Sequence, residues 1–281
     1  MSTILPSSLA AGNAVGVKNE QFAVTAQVVR QVNLIIGTGD PTKEASIELN
    51  KPIRVFSPES VGAQTGFGYM LHRLAKSLFA GGKSETYFIM QAETGDQATG
   101  TLTLSGTATE ARTLAFYIGG AWDGRVTVPV SVDDTHIVVA TALAAAINAK
   151  DYLPVTAADN GDGSITLTAK SAGLNWGNYI TLALSLEDDE ALPAGLNAVI
   201  TDMAGGTGTP DITTALNSLG TGDGQNNINV TNLVHGYGAV AAVLNAISAY
   251  NGEGNEYVGN YDKFVGRPFT ALIGDTYAGE E

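Results

Sequence analysis

The sequence predicts an α+β, in part α/β, multidomain protein: a discontinuous α/β core domain interrupted by an inserted β-rich domain with one helix. Three observations lead there. Residues 26–97 read as strand, helix and strand. Residues 98–204 read as many short strands around one helical stretch. After the glycine-rich run Ala204–Pro210, helix and strand patterns alternate again to residue 281. The expected layout is an N-terminal arm (1–25), the first part of the core (26–97), the inserted domain (98–204) and an incomplete second part of the core (205–281). Insertions of this kind succeed in exposed loops whose ends lie close together.

Residues 1–25 are small and polar without a helical face, and are expected to form an arm that packs poorly in an isolated subunit. Val28–Ile36 (VVRQVNLII) is a strand with apolar ends, stopped by Gly37-Thr38-Gly39-Asp40-Pro41. Ile53–Phe56 is a second short strand. Ser57-Pro58-Glu59-Ser60 opens a helix, with proline supplying the φ of the first turn. Phe67, Met70, Leu71, Leu74, Leu78 and Phe79 continue it at helical spacing up to Gly81-Gly82. Glu85–Gln91 (ETYFIMQ) is a buried strand. Strand, helix and strand in this order favour a mostly parallel sheet. Such a sheet needs helices over both faces, and the sequence offers few.

Past Thr94 the texture changes. Thr101–Ser105, Thr113–Ile118 and Val126–Val132 are short strands, most of them alternating. Thr135–Ala149 is a helix with Ile137, Ala140, Leu143, Ala144 and Ile147 on one face. Strands follow at Val155, Ile165–Ala169 and Tyr179–Leu186, the first two joined by the turn Asn160-Gly161-Asp162-Gly163, whose residues tolerate positive φ. Beyond Pro210, Ile212–Leu219 and Ala239–Tyr250 read as helices, and Ile228–Val234 and Phe269–Ile273 as strands.

Composition excludes several function classes. The 281 residues suffice for two ordinary domains. They carry 14 Lys and Arg against 28 Asp and Glu, a net charge of -14, so there is no basic footprint for phosphates or anionic membranes. There is no cysteine, which removes disulfides, thiolate nucleophiles and thiolate metal sites. The opening stretch has neither a basic region nor a continuous apolar one, so no signal peptide is expected, and no run reaches the roughly 18 apolar residues of a membrane span. A soluble protein is expected.

No catalytic, cofactor-binding or metal-binding residue is assigned, and each candidate has a plainer reading. Gly37-Thr38-Gly39 follows a strand like a dinucleotide fingerprint, but Thr42 stands where the third glycine belongs and Pro41 blocks the helix opening. A turn is the expected reading. His72, His136 and His235 lie in separate segments without ligand spacing, and no G-x-S-x-G occurs. Asp159-Asn160-Gly161-Asp162-Gly163 imitates a calcium loop, yet Lys170 occupies the twelfth position and strands flank it. Glu187-Asp188-Asp189-Glu190 reads as a solvated acidic loop. The glycine-rich stretches Asn251–Asn255 and Gly259–Lys263 read as a substrate loop or an interaction loop; Glu253 and Asp262 there are the nearest acid/base pair.

Four stretches carry a family resemblance. The run Thr99–Ala158 (TGTLTLSG to LPVTAA), continued by Gly163–Leu184, resembles the inserted domain of Mu-like contractile phage tail sheath proteins. Met203–Gly220 (MAGGTGTPDITTALNSLG) is similar to that family's return into its core, and Tyr250–Phe269 (YNGEGNEYVGNYDKFVGRPF) to a later family segment. The resemblance implies a homo-oligomer stacked as rings around a tail tube, in contact with the tube, baseplate and tail terminator proteins. It implies contraction that drives the tube through the host envelope for DNA ejection, without nucleotide hydrolysis or cofactors. It also implies no direct nucleic-acid contact, no membrane insertion, assembly in the bacterial host cytoplasm and a place in the virion tail. The arm would add a strand to a neighbour's sheet, and the inserted domain would decorate the outside. Family members continue beyond the point matching Glu281, so an N-terminal portion of a sheath protein is expected. The alternatives are another tail or baseplate component, an adhesin displaying the β-rich domain, or a hydrolase gathering Asp262, Glu253 and His235.

Overall fold

The computed structural model describes residues 31–82, 84–120, 124–219, 228, 230–251 and 270–273. The arm expected over residues 1–25 lies outside them. The chain is mixed α+β, as the sequence predicts. From β1 (Val32–Thr38) it runs through a 3₁₀ helix (Pro41–Ser46), β2 (Pro52–Val55), helices α1 (Pro58–Thr65) and α2 (Met70–Ala80), and β3 (Glu85–Gln91). Seven strands and one helix follow: β4 (Thr99–Gly106), β5 (Arg112–Ile118), β6 (Arg125–Val130), α3 (His136–Asn148), β7 (Val155–Asp159), β8 (Ser164–Ala169), β9 (Leu182–Leu184) and β10 (Leu196–Ala204). The described chain ends with α4 (Thr213–Asn217), β11 (Asn232–His235), α5 (Ala241–Asn251) and β12 (Thr270–Ile273).

β1 lies at the centre of a five-stranded sheet of order β12-β11-β1-β3-β2. The first four strands run parallel, and β2 pairs antiparallel with β3 at the edge. All seven residues of β1 are buried because both faces of the sheet are covered. Leu34 and Ile36 join Ile89, Leu216, Leu233, Val243 and Ile247 on one face. Ile35 joins Val55, Val61, Leu71, Phe88 and Met90 on the other. Each fully buried aliphatic side chain contributes about 1.5–3 kcal/mol of transfer free energy. Helices that look few in the sequence thus suffice: α1 serves one cluster, α4 and α5 the other, and α2 both, with Leu71 in the first and Met70 in the second.

The sequence reads residues 58–79 as one continuous helix. The structure corrects this to two helices. Gly66 (φ 95°) and Gly68 (φ 82°) adopt a conformation that L side chains resist, so the chain turns between α1 and α2. Phe67 lies in that turn rather than on a helical face, and its ring meets His72 edge-on with centroids 5.1 Å apart. Ser57 caps α1 by accepting the Ser60 N–H at 3.2 Å.

Residues 99–204 build two antiparallel sheets, β10-β4-β8-β7 and β6-β5-β9, and α3 packs against β6 and β7. One cluster fills the space between them, including Leu102, Leu104, Phe116, Val126, Val128, Leu143, Ile147, Ile165 and Leu167. Strict alternation produces it: in β6, Val126, Val128 and Val130 are buried while Arg125, Thr127 and Pro129 are exposed. Three expectations need correction here. The strand expected over Tyr179–Leu186 shrinks to Leu182–Leu184, ended by Ser185 at φ 53°. Leu196–Ala204 forms an unforeseen strand, although Leu196, Ala198 and Ile200 already alternate there. Ile137 is 41% exposed, and Val139 takes the buried place expected of it.

Candidate functional site

The polar groups of the molecule gather at a seam, where the carboxyl ends of β1, β3 and β11 meet the loop 170–178 that follows β8. The chain crosses the seam outward at residues 92–98 and returns at 205–212. These two passages are bound together. The Thr207 N–H donates to Asp96 O at 3.0 Å, while the Asp96 N–H donates to Thr207 Oγ1 at 2.9 Å. A Cβ on Gly95 would lie 2.1 Å from Thr207 O, and one on Gly208 would lie 2.1 Å from Thr94 O, so backbone contact requires glycine at both positions.

The loop 170–178 joins both passages and the sheet. Asn178 brackets Gly206, accepting its N–H at 2.8 Å and donating to its carbonyl at 3.0 Å. The Leu174 N–H donates to Gly208 O at 3.1 Å. Ser171 Oγ accepts the Met70 N–H, the first of α2, at 3.1 Å, and the Asn175 amide donates to Tyr237 O at 2.7 Å. Lys170 donates to the carbonyls of Phe67 and Asp151. At Gly68 a Cβ would sit 2.1 Å from Leu153 O, which presses the α1–α2 turn against the β-rich region.

Below this lid the strand ends carry a buried polar network. Gln91, the last residue of β3, accepts the Tyr237 hydroxyl at 2.8 Å and donates to Asp211 O at 2.8 Å. Burial, reinforced by the charge of Glu93, pushes the Tyr237 phenol up. The Glu93 carboxylate accepts the Ala172 N–H at 2.5 Å, and the Glu93 N–H donates to Glu44 at 3.1 Å. Burial lifts the Glu93 carboxyl to about 7; the Ala172 N–H opposes the shift, and the charges of Glu44 and Asp40 add to it. His235 ends β11 buried, held down to about 4 by desolvation. Its Nδ1 accepts the Tyr237 N–H at 3.3 Å, which leaves the proton on Nε2. Thr38 Oγ1, Trp176 Nε1 and His235 Nε2 are buried and have no hydrogen-bond partner among the described residues. This arrangement holds two parts of the chain together.

The candidates from the sequence are dispersed by the fold. Gly37 and Gly39 pack against α2 and the end of α1; a Cβ on Gly39 would meet Thr65 O at 2.6 Å. Thr38, expected in a turn, is still in the strand. His72 is buried in α2 and accepts the Gly68 N–H at 3.0 Å. His136 opens α3, with its Nδ1 2.9 Å from Gly106 O. The carboxylates of the calcium-like turn serve the turn itself. Asp159 accepts from Gly161 and Thr141, and Asp162 accepts from Ser164. Glu190 departs from the solvated loop expected of it: it accepts the Tyr117 hydroxyl at 2.7 Å and pairs with Arg125 at 2.8 Å, its side chain only 8% exposed. Asn251 ends α5, while Glu253, Asp262 and the remainder of both glycine-rich stretches lie outside the described residues. Among the described residues no three His, Asp or Glu side chains gather as metal ligands would, and no helix is long and apolar enough to cross a membrane.

Gln91, Glu93, Tyr237 and the 170–178 loop escape sequence reasoning, because their partners lie roughly 80 to 150 residues apart. The one available signal is a pair of polar residues closing and following an apolar strand, as Gln91 and Glu93 do after Ile89-Met90.

No protein-family model matches the chain. Over 190 residues, 66% of its length, it is 33% identical to a Haemophilus influenzae protein named Mu-like prophage FluMu tail sheath protein. The match spans 38% of that relative's length. The resemblance read from the sequence is thus upheld: the chain is tail sheath-like over most of its length.

Proposed function

We propose that the chain is a structural subunit of a contractile phage or prophage tail sheath. It polymerises around the tail tube and shortens to drive the tube through the host envelope. The observation that carries this reading is the 33% identity over 190 residues to a prophage tail sheath protein. A mechanical subunit requires a stiff body rather than a reactive centre. The seam supports such a role through its paired glycine contacts at Gly95 and Gly208 and its bracketing amide at Asn178.

In this reading residues 26–97 and 205–281 form the core domain, residues 98–204 are an inserted domain on the outside of the assembly, and residues 1–25 are an arm. The core sheet ends in β2 on one side and β12 on the other, and a neighbour's strand would pair at such an edge. The partners are further copies of the chain, the tail tube protein, and the baseplate and terminator proteins. The subunit is no enzyme, needs no cofactor, assembles in the host cytoplasm and ends in the virion tail.

Electron microscopy of the full-length gene product, alone and co-expressed with its tail tube protein, tests this. Rings or helical tubes are expected. Monodisperse globules at high concentration in both preparations would overturn it, and glycan-array binding by such globules would point to an adhesin.

A further inference from the structure

The chain carries 28 Asp and Glu against 14 Lys and Arg, yet its cations are not spread evenly. Four of the nine lysines and arginines among the described residues gather around residues 150–154, where α2 meets the β-rich region. Lys76 of α2 sets its Nζ over the Tyr152 ring, 5.5 Å from the centroid. The guanidinium of Arg73, one turn earlier, lies 3.9 Å from where a Cβ on Gly119 would stand, beside Pro154. Lys150 donates to the Arg125 carbonyl at 2.5 Å. Lys170 donates to the Phe67 and Asp151 carbonyls and adds its charge from below. Asp151 is the carboxylate set among them; its charge acts on Lys170 and on His72, where Lys76 and Arg73 oppose it.

An acidic turn adjoins this basic ground. Past β9, Leu186, Glu187, Asp188 and Asp189 are exposed. The turn is fixed at its base. The Glu190 N–H donates to Glu187 O at 3.0 Å, and the Glu190 carboxylate accepts the Tyr117 hydroxyl and pairs with Arg125 at 2.8 Å. Arg125 thus joins the two patches: its carbonyl takes Lys150, and its guanidinium takes Glu190.

We propose that the basic patch of Arg73, Lys76, Lys150 and Lys170 docks the Glu187–Asp189 turn of a second copy of the chain. The choice of partner rests on the sheath reading and deepens it by naming a contact between subunits. At a net charge of -14, two copies repel at long range and associate only where opposite charges are brought together. The basic patch offers a neighbour four cations at once, and the turn offers three consecutive exposed carboxylates on a fixed backbone, with Leu186 adding apolar surface beside them. The two patches are different surfaces, so the contact is heterologous. Each copy presents its basic patch to one neighbour and its acidic turn to the next, and repetition builds a ring or a helix.

Charge-reversed variants of the full-length protein test this by sedimentation velocity and electron microscopy. Lys76→Glu with Lys150→Glu leaves two acidic patches, and Asp188→Lys with Asp189→Lys leaves two basic ones. Each variant alone should self-associate about a hundredfold more weakly than wild type. An equimolar mixture of the two should recover association, because acidic and basic copies can alternate. Raising salt from about 0.05 M to about 0.5 M should weaken the wild-type contact. Wild-type association in either variant alone overturns the proposal, as does a mixture no stronger than its parts or a wild type that stays monomeric at high concentration. Should the lysine variant fail to fold, undiminished association of the aspartate variant overturns it equally. The two readings fail separately. Tubes in both variants, as in wild type, remove this contact and leave the sheath reading standing. Recovery in the mixture without rings or tubes supports the contact and counts against the sheath.

Discussion

The β-rich region and the five-stranded region bury their residues in different ways. Between β4 and β10 one apolar cluster fills the space between two sheets and a helix, and nearly every buried side chain in it is a hydrocarbon. The five-stranded sheet carries a cluster on each face, and polar groups such as Asn33, Thr38, Gln91 and His235 are buried along its strands. Alternating antiparallel strands send polar residues outward, so that region settles its burial within itself. Parallel strands covered on both faces have no outward side, and their polar residues must find partners in loops from elsewhere. The seam exists because the second region requires it.

The sharpest way to break the contrast is to open the purely apolar cluster. Phe116→Ala removes a fully buried ring between β6 and β9 and should cost about 3–5 kcal/mol, read as a fall in the urea midpoint at unchanged slope. The five-stranded region should instead respond to pH. The His235 imidazole titrates near 4 when folded and near 6.5 when free, so the unfolded chain binds the extra proton between those values. The stability His235 contributes is complete above pH 6.5 and is lost as pH falls towards 4, by at most about 3 kcal/mol. Glu93 has the opposite sign. Its contribution is complete below its free value of 4.5 and is lost as pH rises through about 7. The two offset each other between pH 4.5 and 6.5. Urea midpoints should therefore be nearly flat there in wild type, rise with pH in Glu93→Gln and fall with pH in His235→Gln.

Smaller effects sharpen the comparison. Gln91→Leu leaves the Tyr237 hydroxyl and Asp211 carbonyl without their partner and should cost about 1–3 kcal/mol, with faster amide exchange at the seam. Thr135→Ala removes the cap of α3, whose 3.5 Å contact with the Val138 N–H is long, and should cost only about 0.5–1 kcal/mol by thermal unfolding. An equal response to both substitutions would erase the distinction between a polar seam and a self-sufficient apolar core.

Most elements of the fold can be read from local pattern, and the site cannot. Glu85–Gln91 matches its observed strand at both ends because seven residues of strand character stand between clear breaks. The hairpin at Asn160–Gly163 forms where glycines at positions 161 and 163 take positive φ. The α1–α2 break was hidden because Phe67 and Met70 continue a helical spacing across Gly66 and Gly68, and spacing carries no information about φ. β10 was hidden because the outward-facing Val199 is apolar and a register shift between Thr201 and Ala204 puts Met203 inside, so the alternation does not run to its end.

The sequence by itself determined the α+β class, the alternating core of the β-rich region and the likeness to tail sheath proteins. These depend on residue type and short-range period, which a chain displays whether or not it is folded. Only the tertiary structure decided that β1 is central, that Glu190 is buried against Arg125 and Tyr117, and that Gln91, Glu93, Ser171 and Tyr237 meet. Those outcomes depend on which distant segments share one desolvated space. Desolvation, unlike periodicity, is a property of the packed neighbourhood and not of the residue.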